Sequence, residues 1–378
     1  MPQIILVFSS AATAEYRVAG IPAAARAVQA VGTIAGQDDI RRCSIVAGDD
    51  WLPSDALLAE CRRLAPRLPL AFAARPSAGD ILTVCGERFV AALARRPDGG
   101  REHVLPALFD TRTSAAAPPT PEAAWRLLHR AGRTVLAATG KGGDGIVSRY
   151  VNRPISRAIS HQLLRFPAVT PFHASLGTAA LALAMAVALL FGGAAGLVAG
   201  GLLFQAASIF DGVDGEIARA TCRSSDAGAT LDSVIDACTN LAFVLGVTAN
   251  VAMAGDVSGA VAGGIALVSL AAGLLLIGRH ASATGAAMNF DVIKLHLRRG
   301  GPPSPLTEFL IHLTMRDFFA AISALMVVAG LTHLLLVAFA TIASGWLVVT
   351  SVILGIIRRR SGLAAPTYGG GARIKPVR

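Results

Sequence analysis

Four aspartates, Asp211, Asp214, Asp232 and Asp236, fall within 26 residues of one another at the end of a long apolar run, where carboxylates are costly. With helical flanks, Asp211 and Asp214 stand at i, i+3 and share one face, and Asp232 and Asp236 at i, i+4 share a face on the next helix. Two helices joined near Gly228 would aim all four carboxylates at one spot. No cation in the neighbouring sequence matches them, so they would repel one another strongly. A divalent cation removes that repulsion, and all-oxygen donors suit Mg²⁺ or Mn²⁺. The bland alternative is a solvated acidic loop. It does not explain why the acids abut apolar helices or why the glycines fall where they do.

The fixed positions are Asp211, Asp214, Gly215, Ala218, Arg219, Gly228, Asp232 and Asp236. Eight such positions, at roughly 7% usage each, coincide by chance with odds on the order of 10⁻⁹ per start site. The spacing resembles, at every fixed position, the motif of the CDP-alcohol phosphotransferases. That resemblance implies an integral membrane enzyme that moves a substituted phosphoryl group from a CDP-alcohol to a hydroxyl acceptor and releases CMP. It implies that Asp211, Asp214, Asp232 and Asp236 hold the metal and that Asp236 is also the catalytic base. Gly212, Gly215, Ala218, Arg219, Ser225 and Gly228 would contact the CDP part. A homodimer is also compatible with the family.

The elements that position these residues follow from the rest of the chain. Of 378 residues 53% are hydrophobic, and the mean hydropathy is +0.58, too apolar for an ordinary soluble protein. Spans are expected at about 174–194, 197–217, 229–253, 258–278, 318–337 and 338–357, each near the 20 residues a crossing needs. Connections around 192–201, 250–264 and 329–335 lack basic residues. The others carry Arg149 to Arg165, Arg219, Arg223, Arg279, Lys294, Arg298, Arg299, Arg316 and Arg358 to Arg360. The positive-inside rule then puts both termini and the acidic motif on the cytoplasmic side of the cell (inner) membrane. The net charge of +10 sits beside apolar spans in this half, so anionic headgroups explain it better than nucleic acid. His280 and His296 read as headgroup-level histidines. Five cysteines without a CxxC pair argue against a disulfide framework or a zinc site.

The front of the chain alternates strand-like and helix-like runs: Gln3–Phe8, Ile21–Ala35, Cys43–Ala47, Ser54–Leu64 with Ser54 as N-cap, Leu70–Ala73 and Ile81–Cys85. That alternation predicts an α/β layer with a largely parallel sheet. Val18-Ala19-Gly20-Ile21-Pro22, Ala35-Gly36 and Ser44-Ile45-Val46-Ala47-Gly48 resemble the early part of a sugar-phosphate nucleotidyltransferase. That family needs a Gly-rich loop with a basic residue straight after the first strand. This chain has Ser9-Ser10-Ala11-Ala12-Thr13 there. The implied domain is therefore degenerate and without cytidylyltransferase activity. Asp49, Asp50 and Asp80 read as surface acids rather than a metal site, and Met1 leads into a strand without the basic start of a signal peptide.

The expected organisation is an α/β N-terminal domain over 1–110 and a linker with a short basic helix, Pro121–Arg130, over 111–145. An amphipathic interfacial helix follows over 146–166, then an all-α six-helix transmembrane domain over 167–360 and a tail over 361–378. Gly140–Gly145 reads as a hinge. In the interfacial helix Arg149, Arg153 and Arg157 fall at i, i+4, i+8, with Val151, Ile155 and Ile159 on another side. The segment Lys141-x2-Asp144-Gly145-x2-Ser148-Arg149-x2-Asn152-Arg153-Pro154-Ile155-Ser156 resembles the pre-membrane segment of the di-myo-inositol phosphate phosphate synthase branch. There a nucleotidyltransferase domain precedes the membrane domain. The resemblance implies that Arg149, Asn152 and Arg153 hold a phosphorylated polyol acceptor such as inositol phosphate, and Arg316 near a later span could join them. The donor is either CDP-diacylglycerol or a soluble CDP-alcohol such as CDP-inositol. Two rival classes remain: a polytopic ion or solute carrier, which would be expected to show internal repeats, and a catalytically inactive membrane scaffold.

Overall fold

The computed structural model describes residues 3–35, 42–48, 51–72, 81–95, 101–110, 119–140, 144–284 and 315–363. Asp49, Asp50, Asp80, Lys141, His296, Lys294, Arg298 and Arg299 lie outside the described residues, as do the linker at 111–118 and the tail beyond 363. The chain divides into two compact units, one of residues 1–178 with 208–225 and the other of residues 179–207 with 226–378.

In the first unit, β1 (Gln3–Val7), β4 (Cys43–Val46), β5 (Leu70–Phe72) and β6 (Ile81–Cys85) form a parallel sheet in the order β5-β4-β1-β6. Register runs Ile4 to Cys43 and Ile4 to Leu82. The β-branched runs QIILV and ILTVC suit a sheet covered by helices. The helices are α1 (Ala11–Glu15), α2 (Ala23–Ala35), α3 (Asp55–Leu64), α4 (Gly86–Ala94), α5 (Arg101–Asp110) and α6 (Pro121–Ala138). A two-residue ribbon, β2 (Arg17–Val18) against β3 (Ile21–Pro22), precedes α2. The Ser54 hydroxyl accepts from Leu57 N–H, so the expected N-cap forms. The core gathers Ile4, Leu6, Phe8, Val28, Ile45, Leu57, Val84 and Phe89. At Gly86 a Cβ would stand 2.4 Å from the Phe8 ring, so the α4 start can approach β1 only without a side chain.

Two expectations need correction here. The basic helix expected to stop at Arg130 continues to Ala138, because Gly132 is a packing glycine inside it, buried with the Ala19 backbone 3.5 Å from a Cβ position. The helix expected from Ile21 starts at Ala23, its first two residues being taken by β3.

After α6, a π-helical turn, Ser148–Asn152, runs into α7 (Arg153–Leu163). The long apolar helices follow: α8 (Pro171–Phe191), α9 (Gly193–Ala220), α10 (Asp226–Met253), α11 (Val257–Thr284), a shorter α12 (Arg316–Val328) and α13 (Thr332–Leu363). Among the described residues five of these, all but α12, are long and apolar enough to cross a membrane. The break expected at 337/338 falls instead at Ala329–Leu331, where Gly330 takes φ +73°. The polar pair Thr332-His333 follows directly, and His333 Nδ1 meets Asp256 at 2.9 Å.

Within the first unit, Leu136, Leu164, Ala174, Val213, Ile217 and Ala220 make a small core that seats α6, α7 and the start of α8 on the C-terminal part of α9. The second unit has its own core. Phe204 stacks on Phe243 at 4.0 Å and Phe319 on Phe339 at 4.0 Å. Asn250 donates to the Leu189 and Gly193 carbonyls, closing the C-terminus of α8. At Gly273 a Cβ would stand 2.1 Å from the Trp346 ring, so α11 and α13 pack closely through that ring.

Candidate functional site

Asp211, Asp214, Gly215, Ala218 and Arg219 ride on the last turns of α9, and Gly228, Asp232 and Asp236 on the first turns of α10. The junction is Thr221–Ser225, slightly before the expected Gly228. α9 ends as a Schellman motif: Arg223 N–H bonds the Ala218 carbonyl at 2.8 Å and Cys222 N–H the Arg219 carbonyl at 3.4 Å. Cys222 supplies the left-handed residue, at φ +53°, where glycine is the usual choice.

Asp211 stands near the end of α9, and Asp232 and Asp236 near the start of α10, all partly buried. They offer carboxylate oxygens alone, which fits a hard divalent cation. Asp214 is buried, and its Oδ2 accepts a 2.6 Å bond from the Ser175 hydroxyl on α8. The expectation of no matching cation concerned the neighbouring sequence, and a residue far along the chain supplies one. Arg316, at the start of α12, is ion-paired with Asp236.

The glycines have specific neighbours. A Cβ at Gly215 would stand 2.9 Å from Arg219 Nη1, so Gly215 leaves room for that guanidinium along the helix. Arg219 Nε donates to the Thr139 carbonyl at 2.7 Å, while its Nη2 is buried with no hydrogen-bond partner among the described residues. An orphaned guanidinium N–H of this kind is an open place for an anionic oxygen. Gly212 has a different neighbour: a Cβ there would stand 3.0 Å from Arg153 Nη1 and 3.3 Å from Ser156 Oγ, both on α7.

The basic segment does not present one uniform face. Arg149 is exposed, but Arg153 is buried. Its Nε and Nη2 bind both oxygens of Asp144 at 2.9 Å, and Nη1 binds Glu216 at 3.1 Å. Burial pulls against the charge of Arg153, but the two carboxylates outweigh it and hold the pKa above the usual arginine value. Asn152 is buried and donates to Ser208 at 3.3 Å. The π turn shifts the helical phase between Arg149 and Arg153, which a spacing of four residues cannot reveal.

Sequence reasoning passed over Glu216, Ser160 and Ser175, and gave Ser156 only as part of the pre-membrane pattern. Glu216 is fully buried and accepts from Ser156 and Ser160, each at 2.7 Å, besides Arg153. The signal was available: an acid inside an apolar helix, and two serines four residues apart on an amphipathic one. In the α/β part, fully buried Glu87 accepts from Ser9 N–H at 2.7 Å, Ser9 Oγ at 2.6 Å and Thr13 Oγ1 at 2.9 Å. A carboxylate therefore closes the turn after β1, where a phosphate-binding loop would need donors.

An α/β layer is followed by five helices long and apolar enough to cross a membrane, two of which carry paired acids at consecutive ends. Residues 170–357 match the family model of the CDP-alcohol phosphatidyltransferases, so the chain carries a CDP-alcohol phosphatidyltransferase domain there. Among curated proteins it is similar to a "Bifunctional IPC transferase and DIPP synthase" of Thermococcus kodakarensis, 40% identical over 110 residues, 29% of this chain and 24% of the relative. The protein of the same name from Archaeoglobus fulgidus is 37% identical over 118 residues, 31% of this chain and 23% of the relative. That of Aquifex aeolicus is 40% identical over 102 residues, 27% and 22%. The chain thus aligns with about a quarter of the length of these relatives.

Proposed function

We propose that this protein is a multi-pass membrane CDP-alcohol phosphotransferase with its site on the cytoplasmic face. The observation that carries the reading is the intact acidic motif on α9 and α10, with the Nη2 of Arg219, which has no hydrogen-bond partner among the described residues, beside Gly215. Asp211, Asp214, Asp232 and Asp236 would hold Mg²⁺ or Mn²⁺, which when bound neutralises diphosphate charge. Arg219 binds a phosphate oxygen of the CDP part, and Gly215, Ala218, Ser225 and Gly228 form the surface it lies against, while Gly212 admits Arg153 and Ser156 from α7. Asp236 takes the proton of the acceptor hydroxyl as its oxygen attacks the β-phosphorus. The bond from that phosphorus to the bridging oxygen breaks, and CMP leaves with the electron pair.

The acceptor reading is a phosphorylated polyol, inositol phosphate above all, supported by the names of the partial relatives. Exposed Arg149 is the best placed of the basic residues to meet it. Asn152 and Arg153 act by shaping the segment around it, since both are engaged internally. Arg316 holds Asp236 until substrate binds. The α/β domain makes no CDP-alcohol of its own, because Glu87 fills the turn that would cradle a triphosphate. The donor is supplied by another protein, as CDP-diacylglycerol or CDP-inositol.

The test is CMP release by the purified protein with Mg²⁺ in lipid or detergent. CDP-diacylglycerol and CDP-inositol are each offered with inositol phosphate, inositol and glycerol phosphate, and Asp236→Asn is run beside the parent protein. Release that the substitution abolishes is expected. No release from any pair, with no binding of CDP to the protein, would leave the inactive-scaffold reading in its place.

A further inference from the structure

The turn after β1 is closed by Glu87, so a role for the front domain is better sought where its surface charges go. Two arginines and one glutamate of the front domain converge on Ala220–Arg223, the segment that leads from Arg219 to Ser225. The last carbonyls of any helix lack partners within the helix. Here guanidinium groups of the front domain reach three consecutive carbonyls at this end. Arg26 Nη2 donates to Ala220 O at 2.5 Å, and Arg63 donates to Thr221 O at 2.9 Å and Cys222 O at 3.1 Å. Arg26 is itself fixed by the Val18 and Ala19 carbonyls, at 2.6 and 3.0 Å. Glu60 ties the group together, taking Arg63 on one oxygen at 2.6 Å and Arg223 on the other at 2.7 Å. Burial alone would raise the Glu60 pKa, but Arg63 and Arg223 hold it below the usual glutamate value. Gly20, at φ +86°, lets the β2–β3 turn lie against Thr221: a Cβ there would stand 2.9 Å from the threonine methyl.

We infer that the α/β domain is a positioning clamp for the phosphotransferase motif, with Arg26, Glu60 and Arg63 holding the α9 end so that Arg219 and Ser225 meet the CDP diphosphate in register. Cations at a helix C-terminus also oppose its dipole, so the contact favours this one geometry of the turn. None of the three residues touches substrate. They act through the backbone of Ala220–Arg223. The inference rests on the transferase reading above, and a displaced motif would lower turnover more than donor binding.

Two readouts separate the two ideas. The first is CMP release at saturating donor by Arg63→Ala, by Arg223→Glu, which sets two carboxylates face to face, and by the charge exchange Glu60→Arg with Arg223→Glu. The single variants should lose roughly tenfold or more in kcat with a smaller change in KM, and the exchange should recover most of the loss. The second needs no activity: the rate of maleimide labelling of Cys222, exposed and bonded by Gln29 at 3.2 Å, in a Cys238→Ser background. Labelling should quicken in the single variants and slow again in the exchange. Unchanged labelling, or faster labelling with unchanged CMP release, overturns the clamp while leaving the transferase reading intact. If the parent protein releases no CMP from any donor, the transferase reading fails and the clamp, as a device serving it, fails with it.

Discussion

Glu216 is the sharpest place to test the packing logic. It is fully buried on α9 and accepts from one guanidinium and two hydroxyls of α7. Truncation to alanine leaves Arg153 Nη1 and the Ser156 and Ser160 hydroxyls without that acceptor. Each charge-assisted bond is worth about 1.5–3 kcal/mol and each neutral one about 1 kcal/mol. Breaking one side of a buried ion pair costs about 3–5 kcal/mol, and these terms overlap rather than add. A loss of about 3–5 kcal/mol is therefore expected for Glu216→Ala, and about half that for Glu216→Gln, which keeps one acceptor oxygen. At ~2–4 °C per kcal/mol for a domain of this size, the alanine variant should melt on the order of 10 °C lower. The assay is thermal unfolding of detergent-solubilised protein followed by tryptophan fluorescence. A double-mutant cycle makes the claim specific: Arg153→Met should cost at least ~1.5 kcal/mol less in the Glu216→Gln background than alone. A Glu216→Ala melting point within about 2 °C of the parent, or additive effects in the cycle, would refute the network as a determinant of this packing.

Two further outcomes follow from single contacts. Ser175→Ala removes the 2.6 Å bond to Asp214; the Mg²⁺ concentration for half-maximal CMP release should rise about tenfold, and an unchanged titration would count against Asp214 as a metal ligand. His161 is held below the usual histidine pKa by partial burial and by Arg165, Arg133 and His129. The unfolded chain therefore binds the proton more readily, so this contribution to stability is lost as pH falls through the ordinary histidine value near ~6.5. His161→Gln should flatten the fall in melting temperature between about pH 7 and pH 5.5, and an unaltered slope would show that other groups carry it.

Much of this architecture is legible in the sequence because single residues carry it. Alternating runs give the parallel sheet, Ser54 announces its helix, and acids beside apolar stretches mark α9 and α10. What escapes is whatever depends on a partner far away in the chain. The helix expected to end at Arg130 runs on through Gly132, which lies against the Ala19 backbone. The pairing of Arg316 with Asp236 joins residues with no local relation. The spacing of Arg149, Arg153 and Arg157 suggests one exposed basic stripe. The π turn breaks the phase, and two carboxylates claim Arg153 for the interior.

That last case bears on how the motif works. Gly212 and Gly215, three residues apart, suggest a single smooth surface for a nucleotide, yet their neighbours differ. Gly215 clears space for Arg219, whose Nη2 remains unsatisfied, whereas Gly212 admits Arg153 and Ser156 from α7. One glycine thus serves the ligand and the other serves the packing that fixes α9 against the pre-membrane segment. An alanine at each position separates the roles. Gly215→Ala should weaken CDP binding by displacing the Arg219 guanidinium while leaving the melting temperature nearly unchanged. Gly212→Ala should lower the melting temperature through the Arg153–Glu216 contact and affect binding only secondarily. Equal losses of stability from both substitutions would mean that Gly215, too, is a packing residue and that Arg219 meets no ligand there.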